Sequence, residues 1–175
     1  MTDEFAELIE RSEVTVTIPN GHVTATVRGE RDVTVGFAPG FYATCSTVQL
    51  QDNLQTLARL LFAAARREHL EQIRAFTGRD VVESRPEPQT PQDHDYYTTL
   101  AELYAEGESD DGLVSVTAVG QQEYAVQVKS GVLDRVSQSQ MEASVAQAAN
   151  RMLAETEQKA AAARWEIYMA SPQSA

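Results

Sequence analysis

An α+β fold written twice is what this sequence predicts, and three observations predict it. Residues 21–65 lie on residues 112–156 without a gap at a shift of 91, and ten positions are identical: Gly21/Gly112, Val23/Val114, Thr26/Thr117, Gly29/Gly120, Val35/Val126, Gly40/Gly131, Ser46/Ser137, Gln49/Gln140, Ala58/Ala149 and Ala63/Ala154. Short runs that alternate polar and apolar residues between Gly, Pro and Asn read as antiparallel strands. Each set of runs precedes a long segment whose apolar residues recur at spacings of three and four, as an amphipathic helix requires. Two copies fall short of the roughly three that a solenoid needs. The expected architecture is therefore two tandem units, each a short helix, an antiparallel β-meander and a long helix, packed against each other as the subunits of a dimer would be.

The elements follow in order. Phe5, Leu8 and Ile9 share one face of a short helix over residues 3–11, with acidic residues in the first turn where the helix dipole favours them. Glu-Val-Thr-Val-Thr-Ile at 13–18 alternates as a strand does, Pro19-Asn20-Gly21 turns the chain, and 23–27 alternates again. A turn at 29–32 leads to a third strand at 33–37, broken by Ala38-Pro39-Gly40. Leu50, Leu54, Leu57, Ala58, Leu61 and Ala65 then mark a helix that should run from about Leu50 to Phe76 and stop at Gly78. Residues 81–92 hold Pro86, Pro88 and Pro91 among polar residues and read as an extended linker between units at 1–80 and 93–175. The second unit opens with a helix over 93–105 carrying Tyr96, Leu100, Leu103 and Tyr104, followed by an acidic turn at 106–112. Strands at 113–119 and 124–128 come next, then a helix capped by Ser137 or Ser139, striped by Met141, Val145, Ala148, Ala149, Met152 and Leu153 and extending toward Tyr168.

Composition narrows the function classes. The net charge of −12 repels polyanions and anionic lipid surfaces, and it is uneven: residues 1–85 carry net −3 and residues 86–175 net −9. No apolar run approaches the roughly 20 residues of a membrane span, so no membrane partner is expected. The first residues, Met1-Thr2-Asp3-Glu4-Phe5, lack the basic segment and apolar core of a secretory signal, and the lone Cys45 cannot form an internal disulfide. The cytoplasm is the expected location.

Gly112-Leu113-Val114-Ser115-Val116-Thr117, then Gly120, Val128, Leu133, Glu142, Val145, Ala148, Asn150 and Glu155, with Gly107-Glu108-Ser109 ahead of them, resemble the YbaB/EbfC family of small bacterial proteins. The resemblance covers residues 93–170, and reaches residues 3–77 more faintly through the repeat. It implies a dimeric α+β fold without catalysis and, for typical members, DNA binding as nucleoid-associated proteins. The first half, with Asn20-Gly21-His22-Val23 and the helix around Leu54 to Arg67, is also similar to actinobacterial relatives that serve as cytosolic accessories of type VII secretion. Both copies depart from the family in having short first helices, and that helix contributes to the family's clamp-like dimer ends.

Two constellations are candidate sites. Arg59 and Arg66, like Arg67 and Arg74, are seven apart on one helix and suit successive phosphates; the bland reading is a solvated face with Glu68 and Glu71 interleaved. Their counterparts in the second copy are Asn150, Glu157, Gln158 and Trp165, so a symmetric clamp would have lost one arm's charge. Trp165, Ile167, Tyr168 and Met169 gather at the end of the last helix, either as a partner-binding tip or packed internally on the first copy. Tyr96, Tyr97 and Tyr104 admit the same two readings. The acidic loop at 106–111 lacks EF-hand spacing, and His22, His69 and His94 lack metal-ligand spacing. Cys45 has no activating neighbour in sequence and no phosphate-binding loop appears, so no metal, cofactor or catalytic site is expected. The leading expectation is a non-catalytic, cytosolic protein-interaction module, an accessory or chaperone of type VII secretion, pseudo-dimeric within one chain and open to further homodimerisation. The alternative is a nucleoid-associated DNA-binding protein.

Overall fold

The computed structural model of this protein describes residues 7–29, 31–78 and 87–170. The start of the helix expected from residue 3, Glu30 in the second turn and residues 81–86 of the linker lie outside them. After a helical turn at 7–10, the chain forms strands β1 (Glu13–Thr17), β2 (Val23–Arg28) and β3 (Asp32–Phe37), a one-turn helix α1 (Phe41–Thr44) and the long helix α2 (Thr47–Thr77). Helix α3 (Pro91–Glu102), strands β4 (Tyr104–Glu108), β5 (Val114–Val119) and β6 (Glu123–Val128), helix α4 (Gln138–Trp165) and a π-helical turn (Glu166–Ala170) complete it. Two three-stranded antiparallel sheets result, ordered β1-β2-β3 and β4-β5-β6. The strands of one sheet and the first residue of its long helix lie 91 positions from those of the other. The paired turn glycines Gly21/Gly112, Gly29/Gly120 and Gly40/Gly131 all have positive φ, a backbone that Cβ disfavours, which is why the repeat keeps glycine there.

Two boundaries differ from the sequence expectation for local reasons. Helix α2 starts three residues early because Ser46 and Gln49 form a reciprocal capping box, Gln49 N–H to Ser46 Oγ at 3.1 Å and Ser46 N–H to Gln49 Oε1 at 2.9 Å. Helix α3 likewise starts at Pro91, inside the segment expected to be linker, because Thr90 and Asp93 form a second capping box and Pro91 takes a first-turn position where no N–H is needed. The larger correction concerns residues 104–108. The sequence pattern places them at the end of a helix and the start of an acidic turn; they form strand β4 instead. Ala105 and Gly107 face inward beneath α4, and a Cβ at Gly107 would lie 2.1 Å from the Ala148 carbonyl oxygen and 2.3 Å from the Met152 nitrogen. Only a residue without a side chain lets the helix cross this strand so closely.

The two halves share one core. Ala25, Val33, Leu54 and Leu61 from the first half and Val116, Val126, Val145 and Ala149 from the second surround the same void of about 30 Å³. Helix α2 packs on β1 and β2 and reaches across to β6, while α4 packs on β4 and β5 and reaches across to β3. The crossings are closed by side chains that complete edge strands. Glu142 Oε1 accepts the Phe37 N–H at 2.9 Å; the same pair with the halves exchanged, Gln51 standing 91 residues before Glu142 and Val128 standing 91 after Phe37, has Gln51 Oε1 accepting the Val128 N–H at 3.1 Å. Asn150 pairs with both backbone groups of Val33, Oδ1 accepting at 2.8 Å and Nδ2 donating at 3.2 Å. On β6 a different position does similar work: Gln55 accepts the Val126 N–H at 2.8 Å and donates to the Tyr124 carbonyl. Each bond satisfies an edge group that burial would otherwise leave unpaired.

Candidate interaction surfaces

The end of α4 and helix α3 form an aromatic groove of about 650 Å³ walled by Tyr96, Tyr97, Arg164, Trp165, Tyr168 and Met169. The four residues of the expected tip divide in two. Tyr168 Oη donates to Asp93 Oδ1 at 2.6 Å and its ring meets that of Tyr96 edge-on at 5.6 Å, while the Ile167 carbonyl accepts from Gln92 Nε2 at 3.3 Å. These two pack on α3 of their own half, so the expectation of packing on the first copy is corrected; the capped α3 lies alongside α4 and is nearer. Trp165 and Met169 remain 63% and 66% exposed. Two large apolar side chains in water beside a fixed tyrosine pair are the surface most in need of cover.

Asp93 and Tyr168 are tuned by each other. The bond to Asp93 comes first, followed by burial, in pushing the Tyr168 phenol up to about 12. The same bond, with one from Thr90, holds the Asp93 carboxyl below its usual range. The contact contributes stability that is complete below the ordinary tyrosine range and is lost as pH rises through about 12; from the acid side it is lost as Asp93 protonates. In Asp93→Asn, ultraviolet titration is expected to return one tyrosine from about 12 toward its ordinary value near 10. A titration curve identical to wild type would dissolve the pairing.

The arginines of α2 are all exposed but differently engaged. Arg66 Nη2 donates to the Gln121 carbonyl of the second half, beside the stacked rings of Phe62 and Tyr124 at 4.3 Å. Arg59 lies on the side of the helix that carries Gln55, while Arg67 and Arg74 project farther round. Arg66 thus serves the contact between halves, and the set of four is not one uniform phosphate-facing row.

Two further cavities open on the surface. The larger, about 760 Å³, lies over Asn20, His22, Cys45, Asp52 and Asn53. His22 stacks on Phe41 at 4.6 Å, Cys45 Sγ donates to the Tyr42 carbonyl at 3.5 Å, and burial pushes the thiol up, away from a reactive thiolate. The other, about 390 Å³, opens between the C-terminal halves of α2 and α4 above Val14, Phe62 and Leu153. Several of its polar members are committed internally: Gln72 to Glu68 at 3.1 Å, Arg66 to Gln121, Arg31 to Glu157. In the acidic segment, Asp110 is held by Arg151 at 2.6 Å and Gln147 at 2.8 Å. Burial raises the Asp111 carboxyl, but bonds from Ser144, Ser109, the Leu113 N–H and Gln140 outweigh it and leave it at about 2. Among the described residues, no cluster of three His, Cys, Asp or Glu side chains could hold a metal, and no helix is long and apolar enough to cross a membrane.

Sequence reasoning overlooked Asp93 as the partner of Tyr168, and the polar residues Gln51, Gln55, Glu142 and Asn150 that complete the edge strands. The signal available for the latter was the shift of 91, which sets Gln51 on Glu142 beside the apolar stripe. Compared with protein-family models, curated proteins and solved structures, the chain matches none, so its likeness to the YbaB/EbfC pattern rests on its own residues.

Proposed function

We propose that this protein is a non-catalytic protein-interaction module, built as an intramolecular pseudo-dimer of two YbaB-like units, that seats an apolar segment of a partner protein in the groove between α3 and the end of α4. The observation that carries the reading is the exposure of Trp165 and Met169 in a groove whose far wall, Tyr96 and Tyr97, is held by the Tyr168 to Asp93 bond. The net −9 of residues 86–175 favours a segment flanked by basic residues. The pseudo-dimer is supported by the reciprocal bonds of Gln51 with Val128 and Glu142 with Phe37, since a two-fold contact repeats each residue pair in both directions. On the resemblance stated above, the partner class is a type VII secretion substrate met in the cytoplasm.

A protein captured specifically by wild type is expected to be lost, by about tenfold or more, on Trp165→Ala combined with Met169→Ala, with the unfolding temperature unchanged. Undiminished capture would remove the groove from consideration.

A second reading, nucleoid DNA binding, draws support from exposed Arg59, Arg67 and Arg74 on one helix. It requires duplex binding that falls by orders of magnitude between about 50 and 200 mM salt. Binding that is absent at the lower salt would leave the protein-partner reading alone.

A further inference from the structure

Among the described residues, three of the four sheet edges are sealed by side chains, and the fourth meets none. The β3 edge is completed by Asn150 and Glu142, and the β6 edge by Gln55 and Gln51. On β4, the bonds Gly120 N–H to Leu103 carbonyl and Ser109 N–H to Val114 carbonyl fix the phase, so Tyr104, Glu106 and Glu108 turn their backbone groups outward. A ladder of residues four apart on α4 meets those groups. Lys159 Nζ donates to the Tyr104 carbonyl at 2.8 Å, Glu155 accepts the Glu106 N–H, Arg151 donates to the Glu108 carbonyl at 2.7 Å, and Gln147 accepts the Asp110 N–H at 2.7 Å.

The matching edge of the first half has no such ladder. Gly29 N–H to Ser12 carbonyl and Ile18 N–H to Val23 carbonyl set the same phase, so Glu13, Thr15 and Thr17 face outward. At the positions of Gln147, Arg151, Glu155 and Lys159, α2 carries Thr56, Leu60, Ala64 and Glu68, and among the described residues no side chain bonds the outward backbone of β1. The strand itself accounts for the difference. Where β4 has Ala105 and Gly107, β1 has Val14 and Val16, which occupy the space that lets α4 settle onto its strand. Both valines stay half-buried and Leu60 is 39% exposed.

We propose that β1 is a docking edge for a second copy of this chain, pairing antiparallel with that copy's β1 about a two-fold axis at Thr15 and joining two β1-β2-β3 sheets into one of six strands. The sequence of the edge is self-complementary. With Thr15 opposite Thr15 of the second copy, Val14 faces Val16, Glu13 faces Thr17, and no like charges are opposed. The half-exposed Val14 and Val16 gain Val16 and Val14 of the second copy as cover, with Leu60 on the helix beside the same edge. Because the β3, β4 and β6 edges are sealed, the pairing closes at two chains and does not propagate. This contact is independent of the α3–α4 groove.

The test is sedimentation equilibrium of the full chain at about 150 mM salt, which screens the charges of the two copies, over about 5 to 500 µM, the range suited to a small interface. The weight-average mass of wild type is expected to rise from 19.2 kDa toward twice that value. Thr15→Pro removes an N–H that points away from β2, a position where an edge strand tolerates proline, and is expected to weaken association at least tenfold with unchanged circular dichroism. Leu60→Arg, on the helix surface, is expected to do the same and stands in if the proline variant misfolds; Trp165→Ala is expected to leave the mass curve untouched. Wild type that stays at one chain's mass throughout, or a dimer that persists in the folded Thr15 and Leu60 variants, would overturn the proposal. A monomer that captures another protein through β1, released by Thr15→Pro, would equally overturn it and give the edge to a foreign extended segment.

Discussion

Gly107→Val is expected to lower the unfolding temperature by about 6–12 °C, from a cost of roughly 3 kcal/mol at the 2–4 °C per kcal/mol of a domain this size. The clash is with backbone, the Ala148 carbonyl at 2.1 Å and the Met152 nitrogen at 2.3 Å from the new Cβ, so no rotamer change relieves it. Helix α4 must lift from β4, and the bonds from Arg151, Glu155 and Lys159 to the strand edge are lost with it. The contrast with the first half makes the test specific, because valine is the native residue at the equivalent Val16 and is merely half-buried there. A calorimetric scan that superimposes on wild type would mean that the helix does not cross the strand this closely.

Leu50→Ala is expected to cost about 2–5 kcal/mol, and the loss should be felt in both halves equally. Leu50 is fully buried in the first half, yet the core it joins continues through Leu54 and Ala58 to Val116, Val126 and Val145 of the second. Hydrogen exchange is the measurement that separates a shared core from two adjoining ones. Globally protected amides of β2 and of β5 should lose protection by the same factor, about 30-fold or more, because one cooperative unit opens. Protection in β5 that survives while β2 is loosened would show two independently stable halves and would remove the physical basis for reading the chain as one pseudo-dimer.

Much of the fold was legible in the sequence because it is written in local periodicity. Alternation located β1, β2, β3, β5 and β6, and spacings of three and four located α2 and α4, with Gly78 correctly marking a helix end. Strand β4 was not legible by propensity: Tyr-Ala-Glu-Gly-Glu is acidic and contains glycine, and it is a strand because Ala105 and Gly107 are small enough to lie under α4. The repeat held that information, since Glu13–Thr17 shifted by 91 falls on Tyr104–Glu108. Capping boxes at Ser46 and Thr90 were present in the residue types, and they moved two helix starts by two or three positions.

The candidate site was legible only in part. The aromatic residues at the end of α4 were visible as a group, but the split between bonded Tyr168 and exposed Trp165 depends on Asp93, 75 residues away. By itself the sequence determined the elements, their duplication and the charge imbalance, because each is fixed by residues close in the chain or by simple composition. Only the tertiary structure decided which helix crosses which strand, which edges are sealed and that no side chain among the described residues seals β1. Those outcomes turn on how near a helix can approach a sheet, a distance set at Gly107 by the absence of one carbon and at Val16 by the presence of three.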